Sequence, residues 1–141
     1  MSPESNATYF PGLNGKNVQT LSYGWSYLDS YGDYNVNLIT GEYKNQNSLV
    51  GDGSTTNNIQ CKIDEEKLNR LKNLVSNLEK GELVYKKSDS VGFGNLIIGF
   101  SDGTSAEIIT SKYNLLLEKK GLGASILAIK DMIEELRCTK N

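Results

Sequence analysis

Residues 21–38 read LSYGWSYLDSYGDYNVNL, and the alternation of side chains along this stretch decides the fold class. In its first part every second residue is apolar or aromatic, and the residues between them are serine or glycine. This period of two predicts a β-strand with one buried face. Residues 29–33 have the composition of a turn, and the alternation resumes from Tyr34 to Leu38. The stretch therefore predicts two consecutive antiparallel strands.

A helix is the next clear element, after further strands predicted at residues 43–50 and 59–63. Asp64 is a suitable N-cap because its side chain can accept a hydrogen bond from the first turn. Leu68 begins a series of apolar residues at helical spacing, which predicts an amphipathic helix. We expect Gly81 to end this helix in a left-handed conformation.

The second half of the chain repeats the order of strands followed by a helix. Residues 93–100 form a strongly apolar strand, and Ser-Asp-Gly-Thr at 101–104 predicts a hairpin turn before a return strand. A second helix is predicted from an apolar stripe formed by Ile126, Ile129, Ile133 and Leu136. The order β-β-(β)-α-β-β-α indicates an α+β domain: a mainly antiparallel sheet of about four to six strands, with both helices packed on one face.

The length of 141 residues fits one domain. We expect residues 1–15 to be a flexible leader and residues 16–141 to form the single domain. The leader has two interpretations: a remnant left after a signal or lipoprotein anchor is removed, or a cytosolic N-terminus. No run of about 18 apolar residues occurs, so no membrane-spanning helix is expected.

Composition excludes several classes of function. The formal net charge is -2, whereas nucleic-acid-binding proteins normally carry a basic excess. The chain has no histidine, which removes Ser-His-Asp and Cys-His nucleophiles and histidine-containing zinc sites. The Asp-Gly pairs lack the carboxylate spacing of a calcium loop. We therefore expect no cofactor, no metal and no enzymatic activity.

The chain has two cysteines, Cys61 and Cys138. Cys61 precedes the first predicted helix and Cys138 ends the second, so antiparallel helices on one sheet face would bring the two residues together. A disulfide at this spacing would stabilise the fold by about 4.5 kcal/mol in the chain-entropy model. The alternative is a pair of unpaired, buried thiols in a cytosolic protein. We favour the disulfide and with it a periplasmic or secreted location.

Aromatic residues are concentrated between Tyr23 and Tyr34. The row of Tyr23, Trp25 and Tyr27 has two interpretations: a binding surface of rigid rings, or the sheet face that forms the core under the helices. Tyr31 and Tyr34 are predicted to be more exposed than Trp25 because they lie near the turn.

A polar segment from Lys86 to Gly94 is predicted to be an exposed loop, with an ordinary solvated connection as the alternative. Binding residues are commonly found on loops that a rigid scaffold holds in place. We predict that a protein partner is contacted by seven residues of this loop and of the aromatic and Asp52 segments: Tyr31, Tyr34, Asp52, Lys86, Lys87, Asp89 and Phe93.

The layout resembles small secreted or periplasmic inhibitor and immunity proteins, including the emfourin-type protease inhibitors. The resemblance covers about residues 18–137 and rests on element order, the turn at 101–104 and the helix capped by Asp64. It implies a non-catalytic protein that binds and blocks a secreted enzyme or toxin. The alternatives are a carbohydrate- or envelope-binding module that uses Trp25 and the tyrosines, a structural lipoprotein, and an enzyme of unknown type.

Overall fold

The computed structural model describes residues 5–27, 30–49, 55–87, 93–109, 113–114, 122–136 and 138. Five strands come first: β1 Ser5–Phe10, β2 Val18–Tyr27, β3 Ser30–Asn37, β4 Glu42–Leu49 and β5 Thr55–Lys62. Helix α1 covers Glu65–Ser76. The remaining elements are β6 Gly81–Lys87, β7 Phe93–Phe100, β8 Ser105–Ile109, β9 Tyr113–Asn114 and helix α2 Leu122–Glu135.

The larger sheet has six strands in the order β5-β4-β3-β2-β7-β8, and neighbouring strands pair antiparallel. At its centre, Tyr23 of β2 lies between Tyr34 of β3 and Leu96 of β7. The hairpin β7-β8 joins this sheet beside β2 rather than extending the meander from β5. The prediction of an antiparallel α+β domain is confirmed.

One face of this sheet, which we call the inner face, packs against both helices. Leu21 of β2 and Ile98 of β7 are fully buried in the same hydrophobic cluster as Leu71 of α1 and Ile129 of α2. Successive side chains along a strand point to opposite faces of the sheet. The period of two therefore places the apolar residues of these strands on the inner face. The other face is the outer face, which carries mainly polar side chains such as Ser22 and Asn35.

A second, three-stranded sheet has the order β1-β6-β9. Strand β1 lies within the segment that was expected to be a flexible leader. Phe10 at its end and Leu83 of β6 are both buried in the core. The pairing of β1 with β6 joins residues more than 70 positions apart, so no local pattern in residues 5–10 reveals it.

The expected turn at residues 29–33 is shorter than predicted, because β3 already begins at Ser30. Gly32 lies within the strand instead of in a turn. A Cβ atom at Gly32 would clash with the Trp25 indole of β2 and with the Asn47 amide of β4. Glycine at this position therefore serves close side-chain packing across the inner face.

Helix α1 begins as predicted but ends earlier. The Asp64 side chain accepts a hydrogen bond of 2.8 Å from the backbone N–H of Lys67, which confirms the N-cap. The helix ends at Ser76 with Asn77 as its C-cap, so the prediction that Gly81 ends it is wrong. Gly81 instead begins β6, where a Cβ atom would lie 3.5 Å from Leu122.

Candidate functional site

The predicted disulfide is present. Cys61 of β5 and Cys138 are bridged, with their Cα atoms 5.8 Å apart. The bridge ties the chain just after α2 to one edge of the larger sheet. Beside it, the buried Tyr43 hydroxyl donates a hydrogen bond of 3.4 Å to the backbone carbonyl of Leu136. These two contacts fix the end of α2 over β4 and β5.

The outer face carries a shallow groove of about 320 Å³ across β3, β2 and β7. We call it the outer-face groove. Gly24 lies within it, and a Cβ atom there would lie 3.0 Å from the Asp33 carboxylate. Tyr31, which is 52% exposed, also lines this groove. The described residues that line the groove are Ser22, Gly24, Trp25, Ser26, Tyr31, Gly32, Asp33, Asn95 and Ile97.

Sheet register brings two of the predicted partner-binding residues into one row. Ser26 of β2 pairs with Tyr31 of β3 on one side and with Phe93 of β7 on the other. The backbones of Tyr31 and Phe93 are therefore two strands apart, or about 10 Å. The Phe93 side chain lies outside the described residues.

The same end of the larger sheet includes the end of β4 and the beginning of β7. We call it the loop end. Its row of paired residues includes Ser48 of β4, which is the partner of Tyr31 and lies next to the last residue of that strand. The connections at 50–54 and 88–92 attach to strand ends in this region, and they carry Asp52 and Asp89. Asp52 and Asp89 themselves lie outside the described residues.

Lys86 and Lys87 end β6 of the smaller sheet, where their backbones pair with Asn114 and Tyr113 of β9. The predicted loop therefore begins later than Lys86. The side chains of both lysines lie outside the described residues.

Tyr34 does not share a surface with Tyr31. The two residues are three positions apart on one strand, so they point to opposite faces of the sheet. The Tyr34 ring lies on the inner face and stacks on Tyr23, with the ring centroids 6.0 Å apart. Tyr23 is buried in the core. A partner bound to the outer-face groove would meet Tyr31 without meeting the Tyr34 ring.

The inner face holds a second cavity, which the sequence analysis did not identify. It has a volume of about 510 Å³ and lies between β4, β5 and the end of α2. We call it the amide pocket. Its described lining residues are Tyr34, Tyr43, Asn45, Asn47, Ile59, Glu134, Leu136 and Cys138.

Two asparagines, Asn45 and Asn47, place polar amide groups in the wall of the amide pocket. The Oδ1 atoms of Asn45 and Asn47 are buried and have no hydrogen-bond partner among the described residues. Buried side-chain polar atoms are normally paired. The sequence carries a signal for this site, because Asn45 and Asn47 occupy inward positions of β4 where apolar residues would be expected.

One charged group lies at the boundary between the core and the amide pocket. The Lys130 ammonium of α2 is 3.3 Å from the Glu134 carboxylate and 6.0 Å from the centre of the Tyr23 ring. Burial lowers the pKa of Lys130, but the negative charge of Glu134 and further contacts with Tyr23 and Asp131 raise it, so the net pKa lies above its usual value. Lys130 is therefore held in its charged form.

Three further observations assign no function to the chain. Within the described ranges, no group of three or more cysteine or acidic side chains could hold a metal ion. No helix in the described part of the chain is long and apolar enough to cross a membrane. Comparisons with protein-family models, curated proteins and solved structures find no match for this chain. The function is therefore inferred from the geometry of the two surfaces.

Proposed function

We propose that this protein is a non-catalytic binding protein that acts outside the cytoplasm and blocks a secreted enzyme or toxin. The observation that carries the proposal is the exposed Tyr31 ring beside the outer-face groove, at the loop end of a six-stranded sheet. An aromatic ring on a rigid scaffold loses little entropy when a partner buries it. Binding residues are commonly carried by loops that a rigid scaffold holds in place.

The disulfide supports the extracytoplasmic part of the proposal. Disulfides form and persist in oxidising compartments and are rare in the cytosol. The Cys61–Cys138 bridge closes a separation of 77 residues, so it constrains most of the domain. A binding protein that must remain folded among secreted proteins benefits from this constraint.

The lining of the outer-face groove suits blocking better than catalysis. Its described side chains are mostly serine, asparagine and aromatic or aliphatic groups, with Asp33 as its carboxylate. Blocking an enzyme requires shape complementarity and contact area, and such a surface supplies both. The chain has no histidine to act as a general base near neutral pH.

The packing of Trp25 favours a protein partner over a carbohydrate. A sugar-stacking platform needs an open aromatic face. The Trp25 indole lies over Gly32 and packs against the hydrophobic core. Among the described residues of the groove, Tyr31 is the aromatic residue whose ring remains exposed. A single exposed ring can serve as an anchor in a protein interface.

The first test is a binding experiment with the non-reduced protein as bait. Secreted and envelope fractions of the source organism are passed over it, and retained molecules are identified by mass spectrometry. We expect one protein in a stoichiometric amount, and we expect its enzymatic activity to fall when the purified chain is added at an equal molar concentration. Retention of glycan without a protein, or a partner whose activity does not change, would contradict the proposal.

Tyr31→Ala tests the surface. We expect this variant to bind the partner at least tenfold more weakly, because loss of an aromatic anchor removes buried contact area. Its melting temperature should stay close to that of the wild type because the ring is exposed. Tyr9→Ala is the matched control, since Tyr9 is 61% exposed on the smaller sheet. Isothermal titration calorimetry measures both affinities, and equal loss in the two variants would contradict the assigned surface.

A further inference from the structure

The amide pocket is a cavity separate from the outer-face groove. The two lie on opposite faces of the larger sheet, so a ligand can occupy one without covering the other. Asn45 and Asn47 are two positions apart on β4 and therefore point to the same face. Each has a buried amide oxygen that no described residue pairs with. Such an oxygen lowers the stability of the free protein and is favourable to pair when a donor arrives.

We propose that the amide pocket binds an extended peptide segment. Asparagines two positions apart on a strand are separated by about 6.7 Å. Backbone N–H groups on one edge of an extended peptide repeat at the same distance. Two N–H groups on that edge, from ligand residues i and i+2, can therefore each meet one asparagine amide, which offers both an acceptor and donors.

The amides can turn toward such a ligand. Their Oδ1 atoms are buried in the free protein, so contact requires rotation about the Cβ–Cγ bond. This torsion has a broad energy profile. Since no described residue donates a hydrogen bond to these oxygens, the rotation breaks no hydrogen bond at them.

The remaining walls fit the side chains of a peptide. Ile59, which is 43% exposed, and Leu136 offer apolar contact beside the Tyr34 ring. Glu134 lines the pocket, but its carboxylate is paired with Lys130. The site therefore favours an uncharged, partly apolar segment. Its volume of about 510 Å³ is in the range of established ligand sites.

The experiment uses the oxidised full chain and a phage-displayed library of random seven-residue peptides. The best peptide is synthesised, and calorimetry measures its dissociation constant for the wild type, Asn45→Leu and Asn47→Leu. We expect each substitution to weaken binding by about tenfold, as for the loss of one or two hydrogen bonds. Gln46→Leu is the control, because Gln46 is exposed on β4 between the two asparagines and faces away from the pocket. Its affinity should be within twofold of the wild type.

A second readout reports the contact itself. In nuclear magnetic resonance spectra, the side-chain amide signals of Asn45 and Asn47 should shift when the peptide is added. Asn45→Ala and Asn47→Ala replace the leucine variants if either of those fails to give a cooperative thermal unfolding curve. These outcomes are separate from the test of the proposed function, which uses Tyr31 on the other face.

Three results would overturn the proposal. The first is a library that yields no peptide with a dissociation constant below about 1 mM. The second is a selected peptide that binds both asparagine variants as tightly as the wild type. The third is a glycan array that identifies an oligosaccharide whose binding is lost in Asn47→Leu, which would assign the pocket to sugars.

Discussion

The inner face of the larger sheet has two halves that share one periodicity and differ in chemistry. On β2 and β7, which we call the apolar half, the inward residues include Leu21 and Ile98, and both are fully buried. On β4 and β5, the polar half, the inward residues include Asn45, Asn47 and Cys61. Leu21 and Ile98 belong to the hydrophobic core, whereas Asn45 and Asn47 line the amide pocket.

The difference shows how each half is held in place. Burial of apolar surface holds the helices on the apolar half, since each fully buried aliphatic side chain contributes about 1.5–3 kcal/mol. The polar half has less apolar surface to bury, and there the Cys61–Cys138 bridge ties the end of the chain to β5. A covalent link keeps a polar wall in position without filling the cavity beside it.

Removing the disulfide should have the largest effect. We expect Cys61→Ser combined with Cys138→Ser to lower the free energy of unfolding by about 2–5 kcal/mol, because the bridge restricts the unfolded chain. Urea unfolding followed by Trp25 fluorescence measures this loss. Hydrogen exchange should increase in β5 and near Leu136 more than in β2 and β7. Equal increases in both halves would show that the bridge does not hold the polar half in particular.

Matched truncations on the two halves should differ by a smaller amount. We expect Ile98→Ala to cost about 3 kcal/mol, since it leaves a cavity in a fully buried part of the core. Asn45→Ala should change stability by less than about 1 kcal/mol, because it also removes a buried oxygen without a partner. Urea unfolding at pH 7 compares the two variants. A cost for Asn45→Ala equal to that of Ile98→Ala would mean that the polar half is part of the core.

The smallest effect concerns Lys130, which lies at the border of the two halves. Its net pKa is raised above 10.5 in the folded protein. Its charge therefore contributes stability below pH 10.5, and this contribution is lost as the pH rises through the folded-state pKa. Between pH 8 and pH 11.5 the wild type should lose up to about 0.5 kcal/mol more than Lys130→Met. Urea unfolding of both proteins measures the difference. The loss seen in the variant gives the part that comes from titration of tyrosines. Identical losses in the two proteins would contradict the role of the charge.

Much of the fold was predictable because its signals are local. The period of two in residues 21–38, the Asp64 cap and the stripe through Ile126 identify strands and helices from neighbouring residues alone. The cysteine pair was predictable from the positions of the two helix ends. Strand β1 was not, since its pairing with β6 is long-range. The turn and the helix end were also misplaced, because Gly32 lies within β3, where it allows close packing, and Gly81 begins β6.

The candidate sites were less predictable than the fold. Exposure of Tyr31 agrees with its predicted position near a turn, but the sheet separates it from Tyr34. The amide pocket was missed although Asn45 and Asn47 alternate with exposed residues in the same way as core residues do. Recognising it required knowing which face of β4 points toward the helices.

The sequence alone determined the α+β class, the antiparallel strands, the capped helix and the chemistry that lack of histidine excludes. These features depend on nearest neighbours, on helical or strand periodicity and on composition. Only the tertiary structure decided that β7 pairs with β2, that Tyr31 and Tyr34 face opposite ways, and that two asparagines share a cavity with the disulfide. Those outcomes depend on which distant strands pair and where α2 ends, and no local pattern specifies either.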